Sequence, residues 1–109
     1  MAVVIQRFGV YLVSLDPTIG HEVQKTRPCL VISPNEMNST IGTVLVAPMT
    51  TSGRAYPTRI NCSFKGKKGQ IMLDQIRAVD KIRLLSHLGD ISSAAQDGVL
   101  NVLAEMFAR

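Results

Sequence analysis

Short apolar runs alternate with Gly-, Pro- and Asn-containing punctuation along most of the chain. That rhythm predicts a compact β-rich domain. Gly9–Leu15 reads as the first strand, and a polar loop, Asp16–Thr26, follows it through Asp16-Pro17-Thr18. Cys29–Ser33 is apolar almost throughout, which predicts a strand buried on both faces. Pro34 ends that run, and Asn35–Asn38 reads as a short helical turn. A third strand is expected over Thr43–Ala47, ended by Pro48, with a polar loop over Met49–Pro57. Thr58–Phe64 and Gln70–Asp74 read as two strands joined by a hairpin tip at Lys65–Gly69, and Ile76–Val79 as a sixth strand.

The period then changes. Ser93 with Gln96 three residues on matches a capping box, and Asp97 near the helix start suits the helix dipole. Val99, Leu100, Leu103, Met106 and Phe107 fall on one helical face. Lys81–Leu88 reads as a shorter helix packing through Ile82, Leu84, Leu85 and Leu88, with His87 in a structural role. No repeat or linker interrupts the pattern, so the expected architecture is one domain over 1–109. It is a mainly β (α+β) fold, a small curved antiparallel sheet or barrel with a C-terminal helix.

Composition sharpens this picture. The chain is 46% hydrophobic and 18% charged, which excludes a disordered protein and leaves apolar surface for an interface between subunits. Its net charge of +4 is uneven: Arg54 to Arg83 holds eight Lys or Arg against Asp74 and Asp80, and the remainder holds four against six acids. A basic middle suits a polyanionic partner, although a solvated basic face would give the same count. Cys29 and Cys62 lie far apart without a neighbouring His pattern, which predicts free thiols in a reducing cytoplasm and no metal site. Met1–Val10 carries one short apolar run and no cleavage-site pattern, and no stretch is long enough to span a membrane.

The polar residues that carry chemistry cluster at strand ends and loops: His21, Glu22, Arg27, Thr50, Thr51, Asp74 and Gln75. RNA supplies its own nucleophile, the 2′-hydroxyl. A protein that cuts it without a metal or other cofactor must add a base, an acid and a cation for the charge that builds on phosphorus oxygens. Arg27 suits the cation, Thr50 a hydroxyl donor to the same phosphate, and His21 or a carboxylate the proton transfers. Each residue also has an ordinary reading: a surface salt-bridge partner for Arg27, a solvated histidine for His21, turn residues for Thr50 and Thr51, a cap for Asp74. Residue types alone reach a β-rich domain with a candidate RNA-binding face.

The stretch Val10-Tyr-Leu-Val-Ser-Leu-Asp-Pro-Thr-Ile-Gly-His-Glu-Val-Gln-Lys-Thr-Arg-Pro-Cys-Leu-Val-Ile-Ser-Pro-Asn35 resembles the signature of the MazF/PemK/Kid toxins. Val46-Ala-Pro-Met-Thr-Thr51, Tyr56-Pro57 and Leu73-Asp74-Gln75 resemble later positions of the same family. Val-Ser-Leu-Asp-Pro-Thr and Gly20-His21-Glu22 place the likeness nearest the PemK/Kid branch, and it runs in order from about Phe8 to Val79. The resemblance implies a small SH3-like barrel of the CcdB/MazF toxin fold. It implies a cytoplasmic homodimeric endoribonuclease that cuts single-stranded mRNA at a short motif to 2′,3′-cyclic phosphate and 5′-hydroxyl ends. It also implies a cognate antitoxin with a flexible acidic tail, with DNA touched only indirectly through that complex. Carried over by position, Arg27 would hold the phosphate or act as acid, and Thr50 would be the catalytic threonine. Glu22 and His21 would be first-loop catalytic residues and Asp74 the branch's proposed base. Thr51, Gln75, Arg54, Arg77, Lys65, Lys67 and Lys68 would bind RNA. One position departs: where the Kid branch carries an arginine two residues before the aspartate, this chain has Met72, which leaves Asp74 without that cation and its pKa less depressed.

Two other readings share the fold. A CcdB-type gyrase inhibitor works through a C-terminal helix ending Trp-Gly-Ile, whereas this chain has no Trp and reads Met106-Phe107-Ala108-Arg109 there. A non-catalytic RNA- or peptide-binding barrel would require the Glu22, Arg27 and Thr50 matches to be accidental or the enzyme to have decayed.

Overall fold

The computed structural model describes residues 4–109; the opening three residues of the Met1–Val10 stretch lie outside them. Seven strands and two helices follow one another as β1 (Gly9–Ser14), β2 (Thr26–Val31), α1 (Asn35–Thr40), β3 (Thr43–Thr50), β4 (Arg59–Phe64), β5 (Lys67–Met72), β6 (Arg77–Asp80), β7 (Leu84–Asp90) and α2 (Ser93–Met106). The strands form one antiparallel sheet in the order β4-β5-β3-β2-β1-β7, with β6 also paired to β3. β3 is the hub. Its first half pairs with β6, its middle with β2 and its last two residues, Met49 and Thr50, with β5.

β1, β2 and β3 bury both faces, as the apolar run at Cys29 predicts. Val10, Leu30, Ala47 and Met49 join Ile71, Ala95 and Val99 in one core beneath α2. Tyr11, Val13, Cys29, Val31, Val44 and Val46 join Val79 in a second core on the opposite side. Burial pushes the Cys29 thiol up to about 12, so it stays protonated and inert. Ser33 and Asn38 bond each other inside the fold, and the Ser33 hydroxyl accepts from the Leu45 amide at 3.1 Å, which pins α1 against β3.

Several boundaries shift for physical reasons. β3 runs through Pro48 to Thr50. Pro48 lacks only an N–H, and its neighbours carry the ladder. β5 starts at Lys67 because the hairpin needs only Lys65 and Gly66, both with positive φ, and Leu73–Gln75 is a 3₁₀ turn rather than strand. Ser92, not Ser93, caps α2 by accepting from the Ala95 amide, while Gln96 donates to the Ile91 carbonyl. Leu100 and Phe107 face solvent instead of the core. The largest correction is Lys81–Leu88, which is no helix. Lys81–Arg83 makes one 3₁₀ turn, and β7 follows it and pairs with β1 at the sheet edge. His87 stacks on Tyr11 across that pairing, with ring centroids 4.7 Å apart.

Candidate active site

Arg27 lies in the first part of β2 and Thr50 ends β3. Cys29 pairs with Pro48, and continuing that antiparallel register sets Arg27 opposite Thr50. The polar loop between β1 and β2 brings Glu22 to the same place. Glu22, Lys25, Arg27, Thr50, Ser52 and Met72 line one open hollow of about 380 Å³.

Each group has a defined set of bonds. Arg27 is exposed, and its Nε donates to the Gln24 carbonyl at 3.3 Å. Its two terminal nitrogens have no protein partner among the described residues, so the fork is available to an anion. The Thr50 hydroxyl donates to the Ser52 carbonyl at 2.7 Å and accepts from the Ser52 amide at 3.2 Å. It must rotate off the Ser52 carbonyl before it donates to a phosphate. One Glu22 oxygen accepts from the Ile19 amide at 2.6 Å, which fixes the loop and leaves the other oxygen without a protein donor. Gln75 Nε2 donates to the His21 carbonyl at 3.2 Å, so the first loop is tied to the 3₁₀ turn after β5. The His21 ring is exposed beside Glu22.

Asp74 lines neither this hollow nor its neighbour, and it is not short of a cation. Arg59, opposite Met72 in the β4–β5 register, donates from Nε and Nη2 to the two Asp74 oxygens at 3.1 Å each, and the Thr58 hydroxyl adds a third bond at 3.2 Å. Arg59 also covers the Tyr56 ring at 4.7 Å. Its hydrogen bonds hold the Asp74 carboxyl below the usual carboxylate range. A cation beside Asp74 is thus supplied from the adjacent strand, and sequence reasoning missed Arg59. The signal lay in the register, since a hairpin turning at Lys65-Gly66 sets residue 59 opposite residue 72.

Of the basic residues expected at RNA, Lys65, Lys67, Lys68 and Arg54 are exposed, at the hairpin tip and in the loop after β3. Arg77 is committed elsewhere. It is half-buried and donates to the Leu15 carbonyl at 3.0 Å, a bond that ties β6 to the end of β1.

A second hollow, about 260 Å³, shares Arg27 and Thr50 with the first but is lined beyond them by Met49, Cys62, Phe64 and Lys67. Gly69 forms part of its wall. A Cβ there would lie 2.5 Å from the Thr50 carbonyl oxygen, so only glycine lets β5 pass this close to Thr50.

Comparison with known proteins agrees with this fold. A family model described as PemK-like, MazF-like toxin of type II toxin-antitoxin system covers residues 6–107. The Endoribonuclease PemK of Escherichia coli is 37% identical over 81 residues, 70% of this chain and 61% of that protein. Endoribonuclease toxin MazF of Escherichia coli K12 is 34% identical over 62% of this chain and 60% of its own length, so the match spans about three fifths of these two relatives. Endoribonuclease EndoA of Bacillus subtilis is 32% identical over 91% of this chain and 93% of that protein. Among solved structures, MazF from Deinococcus radiodurans superposes with a TM-score of 0.84 at 24% identity over 96% of this chain and 97% of that one, which shows a shared fold. A mycobacterial endoribonuclease in complex with its cognate antitoxin gives 0.79 at 24% identity, over 93% and 92%.

Proposed function

The chain belongs to the PemK-like, MazF-like toxins of type II toxin–antitoxin systems, and we propose that it is a metal-independent endoribonuclease that cuts single-stranded mRNA at a short motif and so arrests translation and growth. The observation that carries this reading is the meeting of Arg27, Thr50 and Glu22 around one open hollow.

Arg27 grips the non-bridging phosphate oxygens with its free fork, and the Thr50 hydroxyl turns to donate to the same group. Glu22 takes the 2′-proton as O2′ attacks phosphorus. The P–O5′ bond breaks, and His21, on the same loop as Glu22, gives a proton to the departing 5′-oxygen. The products are a 2′,3′-cyclic phosphate and a 5′-hydroxyl. Asp74 acts one step removed, as the anchor of the 3₁₀ turn whose Gln75 holds the His21 carbonyl. Lys65, Lys67, Lys68, Arg54 and Thr51 attract and track the strand, a contribution that weakens with salt.

The test is primer extension on a long RNA incubated with the purified protein and EDTA. Discrete stops at a recurring motif are expected, with cyclic-phosphate ends and unchanged yield when EDTA is present. Loss of cleavage on chelation would reject the metal-free chemistry.

Residues 1–109 act as one toxin domain in the cytoplasm, a placement consistent with the free thiols of Cys29 and Cys62. Among the described residues, no helix is long and apolar enough to cross a membrane. The antitoxin is a chain whose acidic tail meets the basic face around Arg27 and the hairpin tip. We take the toxin to be a homodimer, with Leu85 on the edge strand β7 and Ile82 beside it, 57% and 82% exposed, as the candidate interface. Leu85→Lys is expected to shift the protein from dimer to monomer in sedimentation at micromolar concentration. A dimer that survives unchanged would move the interface elsewhere.

A further inference from the structure

The second hollow at Arg27 and Thr50 takes no part in the proton transfers, yet it opens onto the same phosphate site. Along β4, Ile60, Cys62 and Phe64 point inward, while Asn61 and Ser63 point out. α2 covers the first of these: a Cβ on Gly98 would sit 3.6 Å from Ile60. Beyond that contact, Cys62 and Phe64 remain only half-buried, above the buried Met49. The Phe64 ring is held on its far side by Gly89 of β7, where an added Cβ would approach it to 3.2 Å. The result is an apolar slot with a fixed aromatic wall. Arg27, Thr50 and Lys67 share its lining.

We propose that this slot receives the base of the nucleotide adjoining the scissile phosphate, stacked along Phe64 and Cys62, and that sequence choice is made there; the proposal rests on the ribonuclease reading. The slot, at about 260 Å³, falls just short of the roughly 300 Å³ at which pockets for whole drug-sized ligands begin, which suits one ring system. Its chemistry matches a nucleotide: an apolar lining for the flat base and cations beside it for the phosphates on either side. Gly69 leaves no side chain between β5 and Thr50, so the passage from phosphate to slot is clear. The Thr51 hydroxyl at the rim can donate or accept, which allows it to read a base edge.

Cys62 provides a reporter, because Cys29 is fully buried and Cys62 lines the slot. The intact protein would be treated with a small thiol reagent at mildly alkaline pH, and the rate of Cys62 modification followed by mass spectrometry. Two probes are compared: a mixed-sequence 2′-O-methyl RNA, which cannot be cut because its nucleophile is capped, and an abasic chain of the same length and charge. The mixed-sequence RNA is expected to slow modification by at least about 5-fold, the low end of what one stacked base contributes to binding, and the abasic chain to leave it unchanged. Cys62→Phe, which fills the slot, is expected to change the cleaved motif. Equal protection by both probes, or an unchanged motif in Cys62→Phe, overturns the proposal while the ribonuclease reading stands. Protection by an acidic peptide but not by the RNA overturns it too, in favour of a peptide slot. Selective protection by an RNA that the protein never cuts when 2′-hydroxyls are present supports the base slot and rejects the ribonuclease reading.

Discussion

Arg27→Ala is expected to lower kcat/KM for RNA cleavage by about 10³-fold, the scale on which a lost transition-state donor acts. The fold and its melting temperature should hold. Arg27 is exposed, and its only side-chain hydrogen bond among the described residues is the 3.3 Å contact with the Gln24 carbonyl, so truncation costs about 0.5 kcal/mol or less. Catalysis and stability therefore separate cleanly here. Arg27→Lys restores charge but not the two-pronged fork, and should recover only part of the lost rate. Single-turnover cleavage of a fluorescent RNA containing the mapped motif measures both variants, and calorimetry checks the fold. An alanine variant that cuts at the wild-type rate would remove Arg27 from the site and the phosphate geometry with it.

The second large effect separates two roles for Asp74. In Asp74→Asn, the amide oxygen still accepts from Arg59 Nε and Thr58, but its NH₂ meets Arg59 Nη2, donor against donor. Stability should fall by roughly 1–2 kcal/mol at pH 7, less than a fully buried pair would lose, because the Asp74 side chain is 31% exposed and solvent screens it. The pH course follows from the carboxyl being held down in the fold. Its contribution is complete above the unfolded value of about 3.9, and it is lost as pH falls through the lower folded value. The gap between wild type and variant is therefore flat from pH 7 to about 5 and closes in stronger acid. Cleavage should stay within about 10-fold of wild type. A loss of 10²-fold or more with the fold intact would make Asp74 a general base after all. Arg59→Ala should reproduce the stability loss, since it breaks the same pair.

The contrast between Asp74 and Arg27 also marks where a sequence stops being legible. The hairpin at Lys65-Gly66, the doubly buried strand at Cys29 and the terminal helix all follow from local chemistry: positive φ, unbroken apolarity, 3.6-residue spacing. Glu22, Arg27 and Thr50 were legible as a group through the family signature; the β2–β3 register brings Arg27 to Thr50, and the β1–β2 loop brings Glu22 to both. β7 was not legible. Ile82, Leu84, Leu85 and Leu88 satisfy helical spacing as well as strand spacing, and only pairing with β1, some seventy residues earlier, decides between them. Arg59 escaped for the same reason. Its partner is fixed across a ladder, 15 residues away in sequence, where a search at i−2 could not find it. Arg77 looked like a phosphate contact because its bond to the Leu15 carbonyl spans 62 residues.

The pairing of β1 with β7 has a consequence for how the protein is made. β2 and β3 join across a short connection, so Arg27 and Thr50 can meet soon after both have left the ribosome. β1 must wait, its outer edge bare, until the segment ending at Asp90 has been synthesised. Contacts of such long sequence separation form late and slowly. A nascent chain therefore carries Arg27 and Thr50 well before the curved sheet that holds them is complete. On the proposed ribonuclease reading, that delay keeps the ribosome's own template out of reach until translation of the chain is nearly done.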